Sequence, residues 1–417
     1  MSRPVTGAAG GARGRQVVIL APGSRGDVQP CVALGRGLTA DGDRVRVLAA
    51  PAFRALAEEN GLGFAPLSAD PAAILGSAAG RAWTAGGPLT FLRGFREVLR
   101  PLLDRLLAEV HAGAADADLV LAPTLGFLGT HLSEHLGVPH AELHYQPSVP
   151  TRFFPHPLLP WVRRLGPGPR RLSYGVVDGL AWRLLRSEVD GWRAGPLGLP
   201  PAGWRGPRRD SPVLCGFSEA VIPRPPDWPA RVHVTGYWFL DEPPGWSPPP
   251  RLRDFLASGP PPVYVGFGSM RPDRAEPTFT AVRTALRRLG LRGLLGADAV
   301  PESEDLLPVK DVPHSWLFPR TAAAVHHGGA GTTAAALRAG VPSLVCPMFS
   351  DQPFWGARVH GLGAGPRPLP LRSLTADALA GRLETLLQPP ARRSAERVSA
   401  RLRREDGVAR ACAVLRG

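Results

Sequence analysis

A glycine-rich turn between a short apolar strand and a helix is the feature that most constrains the fold of this chain. Residues 322–325 are apolar, residues 326–333 read HHGGAGTT, and the helix-forming residues that follow end at Gly340. Glycines allow backbone N–H groups to point outward, the helix N-terminus adds positive partial charge, and the two threonines add hydroxyl groups. The segment is therefore predicted to bind a phosphate-bearing ligand, although glycines between a strand and a helix also occur in simple turns.

Two further apolar runs end in turns of the same kind, which predicts an α/β fold with parallel sheets. Residues 16–22 run into the turn at 23–27, and a second run leads into the turn at 266–270. Strand-like runs alternate with helical patterns, for example at 91–111, where apolar residues recur at helical spacing. The first turn lacks the GxGxxG spacing of dinucleotide-binding folds, which argues against a dehydrogenase.

The length of 417 residues suits two domains, each large enough to bury its own core. A proline-rich segment marks the boundary between them, and the alanine- and glycine-rich stretch at 70–88 is predicted to be a mobile loop. The predicted parts are, in order, a disordered leader (1–15), an N-terminal domain (16–240), a linker (241–261), a C-terminal domain (262–395) and a C-terminal helix that packs back on the N-terminal domain (396–417).

The formal net charge of +14 does not by itself indicate a nucleic-acid partner. Arginines are scattered through the predicted helices, without a concentrated basic face or a known nucleic-acid-binding module. The most basic stretch begins at Arg382 and is predicted to be a solvated helix face, with peripheral contact to an anionic membrane as the alternative. The apolar run at 17–21 is too short for a signal-peptide core or a membrane span. The four cysteines are widely spaced, which predicts reduced thiols in a cytoplasmic protein.

Two segments resemble the family 1 glycosyltransferases. Residues 326–353, from HHGGAGTT to DQP, are similar to the nucleotide-sugar-binding segment of that family. Residues 23–30, GSRGDVQP, are similar to the N-terminal signature of its bacterial branch, which includes antibiotic glycosyltransferases of the vancomycin group and sterol glucosyltransferases. The resemblance implies a GT-B fold, in which two Rossmann-like domains with parallel sheets face each other across a cleft and the C-terminal domain holds most of the donor.

The resemblance also implies roles for single residues. Asp27 would be the catalytic base, although an aspartate at the start of a helix is also a common cap. His326 would orient the glycine-rich loop or belong to the core. The other implied roles are binding of the donor diphosphate by Ser269, His327, Gly329, Gly331 and Thr332, binding of the donor sugar by Asp351 and Gln352, and a border to the nucleobase formed by Val312, His314 and Trp316.

The acceptor side is the least specific part of this prediction. Residues 144–240 are irregular and rich in aromatic residues, which can form the wall of an apolar pocket or belong to the core. In the resembling family this region shapes the acceptor pocket. The residues predicted to lie on the acceptor side are Ser24, His144, Tyr145 and Phe153.

Two metal-like motifs are predicted to be structural. Residues 131–135 (HLSEH) have the spacing of a zinc peptidase motif, but they lie in an ordinary crossover helix without a further ligand. The sequences DGD at 41–43 and DAD at 116–118 resemble the DxD metal motif of other glycosyltransferases. Each precedes a strand, at the sheet edge opposite the expected site, so both are predicted to be turns.

The three loops at 23–27, 266–270 and 326–333 predict group transfer from a nucleotide-diphosphate carrier. The resemblance to family 1 glycosyltransferases implies transfer of a hexose from UDP-glucose or a dTDP-deoxysugar to a hydroxyl of a small, largely apolar natural product. N–H groups, hydroxyls and an imidazole would stabilise the leaving diphosphate without a metal or other cofactor, and the carboxylate would take the proton of the attacking hydroxyl. The expected course is a single inverting displacement by a monomer or weak dimer. Two alternatives stay open: a non-catalytic nucleotide-sugar-binding partner and a nucleotide-sugar 2-epimerase.

Overall fold

The structure is a computed structural model and describes residues 14–68, 100–123, 126–203, 210–243, 245–268, 275–296 and 303–417. Most of the predicted leader, the predicted loop 70–88, the first part of the predicted helix 91–111 and Ser269 lie outside the described residues. The chain divides into two compact units. The first contains the chain up to Phe217 together with Arg224–Leu240 and Asp406–Gly417, and the second contains Ser218–Pro223 and Asp241–Glu405.

The first unit is built on a seven-stranded sheet with the order β3-β2-β1-β4-β5-β6-β7, in which every neighbouring pair is parallel. The order reverses between β1 and β4, and open α/β sheets bind ligands at the carboxyl ends of the strands at such a point. The strands are β1 (Gln16–Ala21), β2 (Arg44–Ala49), β3 (Gly63–Pro66), β4 (Leu119–Ala122), β5 (His140–His144), β6 (Val213–Cys215) and β7 (Val232–Val234).

Helices cover both faces of this sheet, and the residues of β1 are therefore buried on both sides. Val17, Ile19 and Ala21 share a core with the first and last helices of the chain, whereas Val18 and Leu20 share a core with the helices between β3 and β6. The helices of this unit are α1 (Arg25–Ala40), α2 (Arg54–Glu58), α3 (Arg100–Gly113), α4 (Gly126–Leu136) and α5 (Pro167–Ala194), with 3₁₀ turns at Pro51–Phe53 and Pro160–Leu165.

The second unit is built on a five-stranded parallel sheet with the order β10-β9-β8-β11-β12. Its strands are β8 (Val263–Gly266), β9 (Gly293–Gly296), β10 (Leu306–Pro308), β11 (Ala323–His326) and β12 (Ser343–Val345). Its helices are α6 (Pro250–Ala257), α7 (Ala275–Arg288), α8 (His314–Leu317), α9 (Ala330–Ala339), α10 (Gln352–Gly361), α11 (Ala376–Leu386) and α12 (Pro389–Leu402), with 3₁₀ turns at Phe318–Arg320 and Leu371–Ser373. The predicted α/β fold with two parallel sheets is confirmed.

Residues 396–417, predicted as one helix, form the end of α12 and a separate helix, α13 (Gly407–Arg416). Asp406 begins α13, since its carboxylate accepts a hydrogen bond from the Ala409 N–H at 2.9 Å. Ala411, Cys412 and Leu415 of α13 are buried in the core of the first unit beside α1. The chain therefore leaves the second unit after Glu405 and returns to the first.

The metal-like motifs have structural partners. Arg193 is buried, and its guanidinium contacts His131 Nδ1 at 2.7 Å and forms an ion pair with Glu134 at 2.7 Å. His135 contacts the Leu197 carbonyl through Nδ1. The aspartates of the two DxD sequences bind neighbouring arginines or backbone N–H groups, namely Asp41 with Arg416, Asp43 with Arg15, Asp116 with Arg46 and Asp118 with the Gln16 N–H. Across the described ranges, no three His, Cys, Asp or Glu side chains come together as ligands for a metal ion.

Two further sequence features can be compared with the structure. All four cysteines are buried and unpaired, as their spacing predicts. Part of the basic C-terminal stretch is structural rather than solvated: Arg392 donates to the carbonyls of Thr321 and Ala322, and Arg403 to that of Arg338. Within the part of the chain that the structure describes, no helix has both the length and the apolar character needed to cross a bilayer.

Candidate active site

The turn after β1 folds the Asp27 carboxylate back onto Ser24, the N-cap of α1. Asp27 Oδ2 accepts hydrogen bonds from the Ser24 N–H at 2.9 Å and from the Ser24 hydroxyl at 3.0 Å, which completes a capping box. A Cβ on Gly23 would lie 2.3 Å from Asp27 Oδ2, so the turn requires glycine there. The N-cap of α1 is therefore Ser24 rather than Asp27, and Asp27 contributes to the cap through Oδ2 from the third position of the helix.

The second carboxylate oxygen of Asp27 is available for other chemistry. Within the described residues Oδ1 accepts no hydrogen bond, and the side chain is half-buried. Desolvation raises the pKa of Asp27 above its ordinary value, while the hydrogen bonds from Ser24 lower it in part. A carboxylate with a raised pKa is a stronger base than an ordinary aspartate, and its second oxygen can accept a proton.

Tyr145 lies close to Asp27 but belongs to the core. Its hydroxyl is 2.9 Å from Cys31 Sγ, one helical turn after Asp27, and its ring packs edge-on against Trp238 with 5.8 Å between centroids. Burial raises the pKa of Cys31 to about 12, with a smaller contribution from the negative charge of Asp27. The structure thus brings Ser24, Asp27 and Tyr145 together at one end of the sheet.

The other two residues predicted on the acceptor side lie elsewhere in the first unit. His144, at the end of β5, is buried and contacts Glu142 through Nε2 at 2.9 Å. Side chains alternate along a strand, so this pair points away from the core that contains Leu143 and Tyr145. Phe153 is 56% exposed. Glu142 was not predicted from the sequence, and its position two residues before His144 was the available signal.

In the second unit, the imidazole of His327 is held between two glycines. A Cβ on Gly268 would lie 2.9 Å from His327 Cε1, and a Cβ on Gly329 would lie 2.5 Å from His327 Nε2. Burial lowers the pKa of His327 to about 4, and the nearby backbone of Gly266 opposes this shift. His327 is therefore neutral at pH 7, and its Nδ1 is buried without a hydrogen-bond partner among the described residues. Gly268, whose role was not predicted, is needed so that this ring can fit.

His326 has both of the roles that the sequence left open. It is fully buried in β11, and its Nδ1 accepts a hydrogen bond from the Gly328 N–H at 3.1 Å. Burial, followed by the effects of His327 and His314, lowers the pKa of His326 to about 3. A neutral core histidine thus fixes the start of the glycine-rich loop.

The loop ends at the N-terminus of α9, whose N-cap is Gly329. Gly331 is exposed, and a Cβ there would have no neighbour within 4 Å. Thr332 is half-buried, and the buried hydroxyl of Thr333 has no hydrogen-bond partner among the described residues. The N-terminus of this ten-residue helix has an exposed glycine and, among the described residues, a threonine hydroxyl without a hydrogen-bond partner. These groups and the free backbone N–H groups of the first turn are suited to bind an anion.

The segment before α10 lies beside this loop. A Cβ on Gly328 would lie 3.1 Å from the Gln352 carbonyl oxygen. The Gln352 side-chain oxygen accepts a hydrogen bond from the Met348 N–H at 2.7 Å, and Asp351 accepts one from Trp355 Nε1 at 2.8 Å. Ser350 has a φ of 60°, a left-handed conformation that is uncommon for a residue other than glycine. The structure thus groups Gln352 with the glycine-rich loop.

The three residues predicted to border a nucleobase form part of an aromatic cluster. The His314 ring is stacked on Phe318 with 4.4 Å between centroids. The guanidinium of Arg320 lies 4.2 Å from the centroid of Trp316, which also contacts Trp246 edge-on at 5.4 Å. Val312 packs against the same core. One face of the His314 ring is therefore covered by Phe318, and one face of the Trp316 ring by Arg320.

The conformation of Gly328 supports a prediction about stability. Its φ is 93°, and an added Cβ would lie 2.5 Å from Val345 Cγ1. We expect Gly328→Ala to lower the free energy of unfolding by about 2–4 kcal/mol, because alanine is strained at a positive φ and its Cβ would overlap Val345. Gly331→Ala is the matched control, since it meets no neighbour within 4 Å and should change stability little. Equal urea midpoints for Gly328→Ala and the wild type would contradict this account of the loop.

Comparisons with known proteins agree with this geometry. Residues 17–155 match the family described as glycosyltransferase family 28 N-terminal domain, and residues 296–413 match that described as erythromycin biosynthesis protein CIII-like, C-terminal domain. Over 425 residues the chain is 39% identical to O-mycaminosyltylonolide 6-deoxyallosyltransferase of Streptomyces fradiae, and the alignment covers 96% of each protein. The chain belongs to the family 1 glycosyltransferases. As a member of this family it is a transferase enzyme.

Two further proteins are similar to this glycosyltransferase over most of its length. It is 36% identical over 411 residues to sterol 3-beta-glucosyltransferase UGT80A2 of Arabidopsis thaliana, with 94% of this chain aligned; the chain spans 64% of the length of that relative. The crystal structure of Streptomyces sp. SF2575 glycosyltransferase SsfS6, complexed with thymidine diphosphate, aligns over 96% of this glycosyltransferase and 99% of that chain, with 21% identity and a TM-score of 0.61. The structural likeness supports the GT-B fold.

Proposed function

We propose that this glycosyltransferase moves a hexose from a nucleotide-diphosphate sugar, UDP-glucose or a dTDP-deoxysugar, to a hydroxyl of a small, largely apolar acceptor. The observation that carries the proposal is the start of α9, where His327 Nδ1 and the Thr333 hydroxyl are buried without hydrogen-bond partners among the residues that the structure describes. The names of two relatives specify a sterol and O-mycaminosyltylonolide as acceptors. Those names support an apolar natural product as the acceptor.

The donor diphosphate would be bound at the glycine-rich loop. Backbone N–H groups at the N-terminus of α9, the Thr332 hydroxyl and the imidazole of His327 would contact the phosphate oxygens. Negative charge grows on the diphosphate as the bond to the sugar breaks, so these groups would stabilise the transition state more than the bound donor. Ser269 would add a hydroxyl, and Asp351 and Gln352 would bind sugar hydroxyls.

Asp27 would act as the general base. Its Oδ1 would accept the proton of the acceptor hydroxyl while the acceptor oxygen bonds to the anomeric carbon and the bond from that carbon to the diphosphate breaks. The nucleoside diphosphate leaves with the electron pair of that bond. Because the attack and the departure occur in one displacement, the anomeric configuration should be inverted.

The stereochemistry of the product tests this course. Recombinant enzyme would be supplied with α-linked UDP-glucose and a panel of sterol and macrolide acceptors, and the product would be examined by proton NMR. We expect a β-linked glycoside, recognised by the large coupling of its anomeric proton. An α-linked product would contradict the single displacement, and release of an epimerised nucleotide sugar without glycoside would favour a 2-epimerase.

A further inference from the structure

The first unit exposes an unusual concentration of large apolar side chains between residues 153 and 180. In the described part of the chain, eight large apolar side chains are exposed, and seven of them lie in this segment. Apolar groups gathered on a surface usually mark a binding surface, whereas isolated exposed residues do not. The members of this 153–180 surface are Phe153, Leu158, Trp161, Leu165, Leu172, Val176 and Leu180.

The apolar residues of α5 form a stripe along the helix. Leu172, Val176 and Leu180 recur at every fourth residue and are 67%, 54% and 50% exposed. Residues at this spacing lie on one face of a helix. The buried face of the same helix carries Tyr174 and Leu185. The helix is therefore apolar on the side that faces the core and also on a second side that faces outward.

The exposed residues are held in place rather than loosely arranged. The Tyr174 hydroxyl donates to the Phe154 carbonyl, and Arg170 donates to the carbonyls of Arg163 and Phe153. Trp182 Nε1 donates to the Gly203 carbonyl at 3.1 Å. These bonds tie the segments before and after α5 to the helix, so the apolar stripe is a preformed feature of the fold.

Positive charge surrounds the apolar residues. Residues 150–185 contain six arginines and a single acidic residue, Asp178, which gives a formal net charge of +5. Arg152, Arg163, Arg164 and Arg171 are exposed, and Arg171 is partly balanced by Asp227 at 3.8 Å. A pocket of about 670 Å³ opens here and is lined by Arg152, Arg171 and Leu172 together with prolines and glycines.

We propose that the 153–180 surface docks this enzyme on an anionic lipid bilayer. An exposed tryptophan and a leucine stripe bordered by arginines combine the two attractions that hold a protein at such a surface: burial of apolar side chains at the acyl boundary and attraction of arginine to acidic headgroups. The net positive charge of this segment favours a bilayer over a second copy of the chain, because two copies would bring their arginines together. The proposal concerns docking and does not depend on the identity of the donor.

Flotation of the full chain with vesicles tests the proposal. We expect the enzyme to float with vesicles that contain phosphatidylglycerol, to float much less with pure phosphatidylcholine, and to be released as salt rises. The double variant Trp161→Ser/Leu172→Ser should bind anionic vesicles at least about tenfold more weakly. The variant Arg163→Glu/Arg164→Glu should lose binding by at least about tenfold through its charge alone.

A matched charge control is available on α12. Arg393 and Arg401 are exposed in the second unit, and Arg393→Glu/Arg401→Glu changes the net charge by the same amount. This control should float like the wild type, and circular dichroism should give the same melting temperature for all variants. Equal flotation of the wild type and the Trp161→Ser/Leu172→Ser variant would overturn the proposal. A dimer in solution that only the apolar variants dissociate would also overturn it, since the surface would then be a subunit interface.

Discussion

Replacement of Asp27 with asparagine is expected to reduce kcat by about 10²–10⁴-fold while the donor Kd stays nearly constant. Asparagine keeps a side-chain oxygen that can accept from the Ser24 N–H and hydroxyl, so the capping box of α1 should survive. The variant loses the second carboxylate oxygen, Oδ1, which would accept the proton of the acceptor hydroxyl. Steady-state kinetics with saturating donor and acceptor, combined with calorimetric titration of the nucleoside diphosphate, separate the two effects.

Asp41→Asn is the matched control for this variant. Asp41 lies at the other end of α1, and its carboxylate pairs with Arg416 at 2.7 Å on the surface. An exposed pair of this kind contributes little to stability, so kcat should be unchanged in the control. Unchanged turnover in Asp27→Asn would refute the assignment of the base. A loss of turnover that only accompanied unfolding would assign Asp27 to the helix cap alone.

Replacement of His327 with alanine has the second largest expected effect, and it should appear in donor binding. The imidazole fills the space between Gly268 and Gly329, and its Nδ1 is buried without a partner in the described structure. We expect the Kd of the nucleoside diphosphate to rise by about 10- to 100-fold, which is the range for one hydrogen bond to a charged group. Calorimetric titration of UDP and dTDP would measure the change directly.

His360→Ala is a suitable control for the His327 variant. His360 lies on an exposed position of α10 in the same unit, where it contacts the Gly365 carbonyl through Nδ1 at 3.2 Å. Its removal should leave nucleotide affinity unchanged. Unaltered affinity in His327→Ala would count against the phosphate role. A weakened affinity for both variants would indicate a general loss of folding rather than loss of a specific contact.

The sequence was most informative where the backbone must approach a side chain closely. GSRGD predicts a tight turn after β1, and the structure explains its first glycine by the 2.3 Å approach of a Cβ to Asp27 Oδ2. HHGGAGTT predicts a strand, a loop and a helix, and Gly328 adopts the positive φ that this loop requires. Local patterns of this kind are predictable because glycine alone meets the steric demand.

Features that depend on contacts distant in sequence could not be predicted. Nothing near Tyr145 in the sequence shows that its hydroxyl meets Cys31, which lies 114 residues earlier. Likewise, Ser218–Pro223 belongs to the second unit although its flanking residues belong to the first, and Arg358 binds the Val221 carbonyl at 2.9 Å. The C-terminal stretch is divided into α12 and α13 because Asp406 caps a new helix. The arginine-rich sequence pattern indicates one continuous helix and gives no sign of this division.

The pH dependence of transfer is the most direct test of the central claim, that Asp27 removes the proton of the acceptor. Desolvation raises the pKa of Asp27, so the deprotonated base is lost as pH falls through a value above that of an ordinary aspartate. For the wild type, log kcat should therefore fall with a slope of about one on the acid side. In Asp27→Asn that limb should be absent and the low residual rate should be flat. The same acid limb in both proteins would contradict the claim.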